Sequence, residues 1–500
     1  MLLKIKELKF NAGKPVIILN KNTAKKLHVD VGNRLKIISS KGYIVSVLDI
    51  ASSMVKEKEA IISQEIVEKL KLKPNCTVEV YPVHRPLSID YINKKFRGKP
   101  LNYTEIYAIV SDIVSNTLTE AEMAYFTSAM YIHEMGLEEL TNFIKAIVRT
   151  GSKMSFNNKF VLDKHCAGGI PGNRTTLLVV PIIAAALDDL HLNAIIPKTS
   201  SRAITSAAGT ADVVETIAPV ELDFKELNEV IKKTRACMIW NGTVPLAPAD
   251  DKLIRVEKAI SLESDSKLIA SILAKKIAAG ATHVLLDIPC GPGSKFSLQA
   301  AKKIKKKIAL VSAKLGLKVK IILTDGSHPI GHGVGPVLEM RDIIDVLKRD
   351  KKRPMELERK SLHLSADLLV MTGKISSKQA YFLCKQILYT GRAYEKFLEI
   401  IRAQGGNINK ISDNLKKARY VHKFLSSRNG KIILIRNREV ASIARTAGAP
   451  SEIRAGVYLF KRVGDRVHKG EPLFEVYADS KQKLDYVKKI LKHLNPFKIQ

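Results

Sequence analysis

Residues 160–176 read FVLDKHCAGGIPGNRTT and continue into a second apolar run, LLVV, at 177–180. The opening apolar residues are typical of a buried strand, whereas the second run is typical of a helix start. Three glycines lie between them, Gly168, Gly169 and Gly172. Because glycine lacks a Cβ, consecutive backbone N–H groups can turn inward on a bound oxyanion. The stretch therefore predicts a strand, a glycine-rich loop and a helix in succession.

Positive charge accompanies this loop. Lys164 and Arg174 add two cations to the amides that a helix N-terminus presents, and this combination favours phosphate. The loop matches neither of two common nucleotide-binding patterns, since it contains no GK[ST] and no GxGxxG. A purely structural strand-to-helix turn is the alternative interpretation.

A second loop rich in hydrogen-bond donors follows the next buried strand. Residues 195–210 read IIPKTSSRAITSAAGT, in which hydroxyl and cationic side chains precede small residues. Hydroxyls donate to phosphate oxygens without steric demand, and an arginine can bind two of those oxygens at once. The alternative is an ordinary Ser/Thr-rich loop with a helix cap. Two such loops, each at the end of a strand, favour phosphate binding.

The composition indicates a folded, multidomain protein. The chain has 500 residues, 46% of them hydrophobic, so roughly two to four domains are expected. Its five cysteines form no CxxC pair, which favours reduced thiols and no zinc or redox centre. Charges interrupt the N-terminal MLLKIKELKF, and no apolar run reaches about 18 residues. Neither a secretion signal nor a membrane span is predicted, and a cytoplasmic location is expected.

The net charge of +33 has three possible meanings. It can attract nucleic acid, it can steer small polyanionic substrates, or it can reflect a lysine-rich surface without a binding role. Lysine runs occur at 302–307 and 351–353, but no basic strand with interleaved aromatic residues and no Cys/His finger accompanies them. The pattern disfavours nucleic-acid binding.

Strands and helices alternate between residues 160 and 350, which predicts an α/β fold with a mainly parallel, mixed sheet and helices on both faces. Ligands in such sheets bind beyond the carboxyl ends of the strands, where both donor loops are placed. Helical periodicity in residues 102–150 includes a capping box formed by Thr119 and Glu122. The predicted domains are 1–85 (small and β-rich), 86–155 with about 245–280 (helical), 156–244 with about 281–420 (α/β, phosphate-binding) and 421–500 (β-rich).

The runs KHCAGGIPGNRT and PKTSSRAITSAAGTADVVE resemble the thymidine phosphorylase superfamily of nucleoside phosphorylases, and most closely its archaeal branch, the AMP phosphorylases. The similarity covers nearly the whole chain, including the N-terminal extension of that branch. It implies that the helical segments form a separate α domain across a cleft, and that the C-terminal region is a lipoyl-like sandwich. It also implies a homo-oligomer that uses inorganic phosphate as a co-substrate and needs no cofactor or metal.

The resemblance implies a role for each matching residue. Those expected at the attacking phosphate are Lys164, Gly168, Gly169, Thr175, Thr176, Ser201 and Thr210. Those expected to bind the nucleotide are Arg202, Ala203, Ile204, Thr205, Ser206 and Lys295. Pyrimidine phosphorylases carry a glycine-rich run after the serine, so the arginine and the added hydroxyls here suggest a 5′-phosphate site. Cys166 replaces a serine of the pyrimidine branch.

The residues that contact the base are expected between positions 254 and 276. Ser271 matches a serine that donates to a ring nitrogen, whereas Val256 stands where pyrimidine phosphorylases carry an arginine. Glu263 occupies the position of a proton-donating aspartate in the archaeal branch, with Asp265 as the alternative donor. Either carboxyl group would serve if a drier environment raised its pKa. A solvated surface carboxylate is the other interpretation of Asp265.

The resemblance therefore implies phosphorolysis of AMP, and of other nucleoside 5′-monophosphates, to ribose 1,5-bisphosphate and free base in nucleotide salvage. A pyrimidine nucleoside (thymidine) phosphorylase is the alternative enzyme, and a basic nucleic-acid-binding protein is the alternative without catalysis. His328 and His332 raise the question of a metal site, but no third ligand stands at a plausible spacing.

Overall fold

Two compact units make up the chain, and the computed structural model describes residues 1–6, 8–83, 85–203 and 206–500 of it. One unit is Met1–Ser152 with Ala247–Lys275, and the other is Lys153–Leu246 with Lys276–Gln500. The finer division into four domains stays a prediction. Within the described ranges, no helix is both long and apolar enough to cross a membrane.

The first unit begins with a closed barrel of six strands. Its elements are β1 (Leu2–Lys6), β2 (Val16–Asn20), α1 (Lys21–Lys26), β3 (Arg34–Ser39), β4 (Gly42–Ala51), β5 (Glu59–Ile62), α2 (Gln64–Leu70) and β6 (Thr77–Pro82). The strand order is β1-β5-β2-β4-β3-β6, and an antiparallel pairing of β1 with β6 closes the barrel. Burial alternates as strands require: in β1, Leu3 and Ile5 are buried while their neighbours are exposed.

Helices form the remainder of the first unit. They are α3 (Ser88–Phe96), α4 (Tyr103–Val114), α5 (Glu120–Ile132) and α6 (Leu137–Thr150), with Pro248–Ile260 and most of Asp265–Ala278 from later in the chain. The capping box predicted at the start of α5 is confirmed, since Thr119 and Glu122 bond reciprocally. The apolar face predicted for α4 is buried, including Ile106, Ile109 and Ile113.

The second unit is built on a parallel sheet of five strands. The chain runs through β7 (Phe160–Cys166), α7 (Thr176–Asp189), β8 (Ala194–Ser200), α8 (Thr210–Glu215), α9 (Phe224–Thr234), β9 (Ala236–Trp240), the first unit's α10 (Pro248–Ile260) and α11 (Asp265–Ala278), β10 (His283–Cys290), α12 (Leu298–Lys314) and β11 (Lys318–Asp325). The strand order is β11-β10-β7-β8-β9. The sequence predicted a mainly parallel, mixed sheet; every pairing described in this sheet is parallel.

Helix α7 forms the centre of a large apolar core. Every residue from Thr176 to Leu187 is buried, because the helix is apolar on all sides and packs against β7, β8 and β9. Further helices follow the sheet: α13 (Pro336–Leu347), α14 (Met355–Val370), α15 (Ser377–Tyr389), α16 (Arg392–Ala403) and α17 (Ile411–Asn414). Of these, α14, α15 and α16 pack on α7.

Two small antiparallel sheets form the C-terminal part of the second unit. Their elements, with two helices, are β12 (Gly333–Val334), β13 (Tyr420–Leu425), β14 (Gly430–Ile435), α18 (Asn437–Thr446), β15 (Gly456–Leu459), β16 (Arg466–Val467), β17 (Pro472–Ala478), α19 (Lys481–Ile490) and β18 (Phe497–Ile499). The sheet orders are β12-β15-β17-β13 and β16-β14-β18. From the sequence, β12 was assigned to the α/β region, but it pairs with β15 in this sheet. Gly456 lets the two strands approach closely, since a Cβ on it would lie 2.3 Å from the Val334 carbonyl oxygen.

Candidate functional site

The carboxyl ends of the five parallel strands lie along one edge of the sheet in the second unit. Strand β7 pairs with β8 on one side and with β10 on the other, and β10 pairs with β11. Because the strands run in the same direction, the loops that leave their carboxyl ends share this edge, where ligands bind in open α/β sheets. Both predicted donor loops and the loop of Lys295 start there.

The glycine-rich loop is packed too closely for larger residues at two positions. A Cβ on Gly168 would lie 2.8 Å from Cδ of Pro289, and one on Gly172 would lie 2.5 Å from Sγ of Cys166. Gly169 instead has a φ of +69°, a left-handed conformation that glycine adopts without strain. A single 3-10 turn then leads directly into α7. The glycines therefore permit the tight strand-to-helix connection that the sequence predicted.

Lys164 is fully buried and is bonded to the far end of this loop. Its ammonium donates to the Gly172 carbonyl at 3.4 Å and to Oγ1 of Thr176 at 3.3 Å, and it contacts Oγ1 of Thr175. Thr175 also donates to the Gly172 carbonyl, at 2.6 Å. Burial lowers the pKa of Lys164, while the nearby negative charge of Asp287 opposes that effect. The structure thus brings together three residues that the sequence assigned to phosphate.

Cys166 ends β7 beside these groups. Burial and the charge of Asp287 raise the pKa of its thiol to about 11, so the thiol is protonated at neutral pH. Since the thiolate is the reactive form of cysteine, the structure gives Cys166 no nucleophilic role. Its sulfur instead fills the space next to Gly172.

Asp212, which no sequence motif indicated, organises the second donor loop. Its Oδ2 accepts the backbone N–H groups of Ala203 and Gly209, both at 2.7 Å. A Cβ on Gly209 would lie 2.5 Å from the Ser201 carbonyl oxygen, so the two ends of the loop are in contact. Of the predicted residues, Ser201 is exposed, while Thr210 is buried as the first residue of α8. The predictions for Ile204 and Thr205 lie outside the described residues.

Two further predicted residues of this loop have partners inside the protein. Ser206 donates to the Ala208 carbonyl at 2.9 Å. The guanidinium of Arg202 is paired with Glu215 and, at 2.9 Å, with Glu221. The hydrogen bond to Glu215 raises the pKa of Arg202 further, so it is permanently charged. A phosphate at Arg202 would therefore have to compete with two carboxylates.

The third loop at this edge carries Lys295 and is closed by hydrogen bonds. Ser294 donates to the carbonyls of Gly291 and Phe296, each at 2.7 Å. Asn437, in α18, donates to the Gly293 carbonyl at 2.9 Å and so holds the loop from outside. Lys295 itself is exposed, with its ammonium 5.4 Å from the centre of the Phe296 ring. These hydrogen bonds hold the loop both from within and from α18.

Arg174 has a different environment from the one that the sequence predicted. Its guanidinium is buried, 2.6 Å from a carboxylate oxygen of Asp342 and 3.7 Å from one of Glu339. The same Asp342 oxygen accepts the backbone N–H groups of His332 and Gly333. Arg174 therefore ties the start of α7 to the segment of β12. The prediction that it adds positive charge to a phosphate site was wrong, because its charge is paired with Asp342 inside the protein.

His328 and His332 are held by separate groups. His328 Nε2 lies 3.1 Å from a Glu356 carboxylate oxygen, whereas the His332 ring stacks on Tyr458. Across the described residues, no group of three or more His, Cys, Asp and Glu side chains is arranged to hold a metal ion. A cavity of about 350 Å³ lies beside His328, with Pro171 and Thr324 also in its wall.

A buried charge cluster that the sequence analysis missed links β7 and β8. Asp163, on β7, is paired with Lys198 of β8 at 2.9 Å and with Lys276 at 2.5 Å. Burial opposes the ionisation of Asp163, but the two lysines outweigh burial and lower its pKa. Burial also lowers the pKa of Lys276, while the charge of Asp163 opposes that effect. The cluster therefore joins the two strands from which the donor loops leave.

In the first unit, Ser271 belongs to a buried cluster around Asp250. Ser271 donates to Asp250 at 2.7 Å, and Lys267 and Lys275 pair with the same carboxylate at 2.6 and 2.9 Å. Burial opposes the ionisation of Asp250, but the lysines outweigh burial and lower its pKa. From the sequence, Ser271 is expected to donate to a base. Here its proton goes to Asp250, so its free lone pairs leave it an acceptor toward any ligand.

The two predicted proton donors flank the start of α11. Asp265 is the first residue of the helix and is half-buried, and Glu263 is exposed. Between them, Ser264 accepts the backbone N–H of Lys267 at 3.0 Å and caps the helix. Nearby, burial raises the pKa of Glu257, which lies 3.2 Å from the Lys267 ammonium. Glu257 was not among the predicted site residues.

Comparison with known proteins identifies relatives over almost the full length. Residues 89–151 match the glycosyl transferase family, helical bundle domain, and residues 432–498 match the pyrimidine nucleoside phosphorylase C-terminal domain. A protein of Legionella pneumophila (strain Corby) named "Putative thymidine phosphorylase" is 40% identical over 93% of this chain and 88% of its own. AMP phosphorylases of Thermofilum pendens and Pyrococcus furiosus are 38% and 37% identical over 99% of this chain, and over 94% and 97% of theirs.

Solved structures show the same type of fold in more distant proteins. Anthranilate phosphoribosyltransferase from Thermus thermophilus superposes with a TM-score of 0.53 at 17% identity, over 63% of this chain and all of its own. The Saccharomyces cerevisiae enzyme gives a TM-score of 0.50 at 15% identity, over 64% and 98%. These likenesses concern the α/β fold alone. Because the identity with the phosphorylases spans nearly the whole length of each chain, this chain belongs to the thymidine phosphorylase family, together with its AMP phosphorylase relatives.

Proposed function

We propose that the protein catalyses the phosphorolysis of AMP, and of other nucleoside 5′-monophosphates, to ribose 1,5-bisphosphate and free base. The observation that carries the proposal is the buried group of Lys164, Thr175 and Thr176 at the glycine-rich turn from β7 into α7. It lies at the edge of the sheet where ligands bind in α/β folds. AMP phosphorylases that match 99% of the chain support the nucleotide as the substrate class.

The reaction places modest demands on the protein. An oxygen of inorganic phosphate attacks the anomeric carbon, the bond from that carbon to the base nitrogen breaks, and the base leaves with the electron pair and gains a proton. Phosphate is already a competent nucleophile, so positioning and electrostatics supply most of the catalysis. In this scheme Lys164, with the backbone at Gly168 and Gly169, holds the attacking phosphate. Ser201 and Thr210 add donors from the second loop.

The 5′-phosphate is assigned to Arg202, Ser206 and Lys295, together with Thr205. Arg202 would exchange its carboxylate partners, Glu215 and Glu221, for the phosphate dianion. Because a nucleoside offers no dianion, it cannot drive that exchange. The carboxylates thus supply a reason for discrimination: Arg202 leaves them only for a ligand of comparable charge.

Ser271 and the carboxylates of α11 are assigned to the base. Because the Ser271 hydroxyl donates to Asp250, it would accept a hydrogen bond from a ring N–H or an exocyclic amino group. An amino group is present on adenine and cytosine and absent from uracil and thymine. Glu263, or Asp265 in its place, is assigned as the donor of the proton that the leaving base gains.

A panel of substrates tests the proposal. Purified protein is incubated with phosphate and either AMP or adenosine, and free base is quantified by chromatography. We expect loss of the 5′-phosphate to lower kcat/KM about a hundredfold or more, since two charged hydrogen bonds are worth roughly 3 kcal/mol. Arg202→Ala should erode the preference for AMP, and Glu263→Gln should slow both substrates alike. Equal turnover of adenosine and AMP by the unmodified protein would contradict the assignment.

A further inference from the structure

Lys360, on α14, reaches the glycine-rich loop from 189 residues away in the chain. Its ammonium donates to the Pro171 carbonyl at 3.2 Å and to Oγ1 of Thr324 at 2.8 Å, and it lies 2.9 Å from Oδ2 of Asp287. Pro171 and Thr324 accept hydrogen bonds from the ammonium, whereas Asp287 forms an ion pair with it. The Lys360 side chain is only 12% exposed, so solvent screens these contacts weakly.

Asp287, the main partner of Lys360, supports both ends of the same loop. Its backbone carbonyl accepts the N–H of Ala167 at 2.9 Å, at the point where the loop leaves β7. A Cβ on Gly172, at the other end, would lie 2.9 Å from Oδ2 of Asp287. The carboxylate is fully buried, and its other oxygen accepts from Thr324 at 2.5 Å. The loop from Ala167 to Gly172 therefore lies against Asp287 at both ends, and Asp287 is paired with Lys360.

We infer that Lys360 is a positioning residue for phosphate: it fixes the glycine-rich loop, and through it the backbone amides and Lys164, in the form that binds the attacking oxyanion. The inference deepens the proposed function and rests on it. Lys360 acts through the Pro171 carbonyl and through Asp287. The loop in turn holds Lys164, whose ammonium donates to the Gly172 carbonyl. Loss of the Lys360 charge would leave the Asp287 carboxylate buried without its ion-pair partner, so the loop would have to move or take in water.

Steady-state kinetics separate this role from a general structural one. Lys360→Met keeps the length of the side chain and removes its charge, whereas Lys360→Arg keeps the charge. The matched control is Lys320→Met, on the neighbouring strand β11. It breaks a partly exposed ion pair in which the Lys320 ammonium lies 2.7 Å from a carboxylate oxygen of Asp367. We expect Lys360→Met to raise the KM for phosphate about tenfold or more while the KM for AMP changes less than about twofold. Lys360→Arg should recover most of the loss, and Lys320→Met should resemble the unmodified protein.

Direct binding of inorganic phosphate, measured by calorimetry, supplies a second readout. The expected result is a phosphate Kd about tenfold weaker in Lys360→Met than in the unmodified protein. If Lys360→Met does not fold, Lys360→Gln, which keeps a donor for Pro171, takes its place with the same expectation. An unchanged phosphate Kd, or equal rises in the KM values for phosphate and AMP, would overturn the inference. Failure of the unmodified protein to release base would instead overturn the proposed function.

Discussion

Gly172→Ala tests whether the close packing of the glycine-rich loop matters for phosphate. The φ of Gly172 is −157°, outside the left-handed region that favours glycine, so the expected effect of the substitution is the collision of the added methyl group. The added methyl group would lie 2.5 Å from Sγ of Cys166 and 2.9 Å from Oδ2 of Asp287. Both distances are well inside van der Waals contact, and both neighbours are held in place, so the loop has to move.

Overpacking of this kind costs about 1–3 kcal/mol. If the displaced loop binds phosphate less well by that amount, the KM for phosphate rises roughly five- to 150-fold. The control is Gly169→Ala in the same loop, where the space around a Cβ is open but φ is +69°. There the cost is backbone strain of about 1–2 kcal/mol, without a collision.

The collision itself can be tested by removing one of the two atoms. In the double variant Cys166→Ala with Gly172→Ala, the sulfur that the methyl group would strike is absent. We therefore expect Cys166→Ala to lessen the penalty of Gly172→Ala and to leave that of Gly169→Ala unchanged. The assays are the KM for phosphate and the midpoint of urea unfolding. A Gly172→Ala variant with unaltered KM and stability would refute the reasoning.

Three further predictions concern the buried charges and the barrel. Asp250→Asn should cost about 3–5 kcal/mol in urea unfolding, because it leaves Lys267 and Lys275 buried without their shared carboxylate; a loss below about 1 kcal/mol would contradict this. Burial raises the pKa of Glu339 to about 7, so the folded protein holds this proton more tightly than the unfolded chain and stability falls as pH rises from about 4.5 to 7. Glu339→Gln should flatten that part of a plot of Tm against pH, and an unaltered slope would count against the assignment. We also expect a homo-oligomer that becomes smaller when residues 1–84 are deleted; light scattering that finds the intact protein monomeric would exclude it.

Local patterns in the sequence predicted the elements of the fold well. Apolar runs marked the strands of the parallel sheet, and Thr119 with Glu122 marked the start of α5. The strand-loop-helix order around Gly168 and Gly172 was also correct, because adjacent residues determine it. These signals depend on period and on turn chemistry within about a dozen residues, which a single sequence contains.

The partners of the charged side chains could not be predicted in the same way. Arg174 seemed well placed for phosphate from its position in the loop, but its partner Asp342 comes 168 residues later in the chain. Ser271 donates to Asp250, 21 residues earlier, and no local pattern in the sequence indicates that partner. Lys360 lies in a helix with no recognisable motif. Such pairings depend on which elements the fold places side by side. A single sequence, read by itself, carries no signal for them.

The most direct test of the central claim is the identity of the phosphorylated product formed from AMP, followed by ³¹P NMR. If inorganic phosphate attacks the anomeric carbon, the product is ribose 1,5-bisphosphate, with one new phosphate ester per released base and no reaction in phosphate-free buffer. The rate should fall sharply in Lys164→Ala, which removes the buried ammonium at the glycine-rich loop. Release of base at the same rate without phosphate, with ribose 5-phosphate as the product, would mean that water is the nucleophile and would contradict the account.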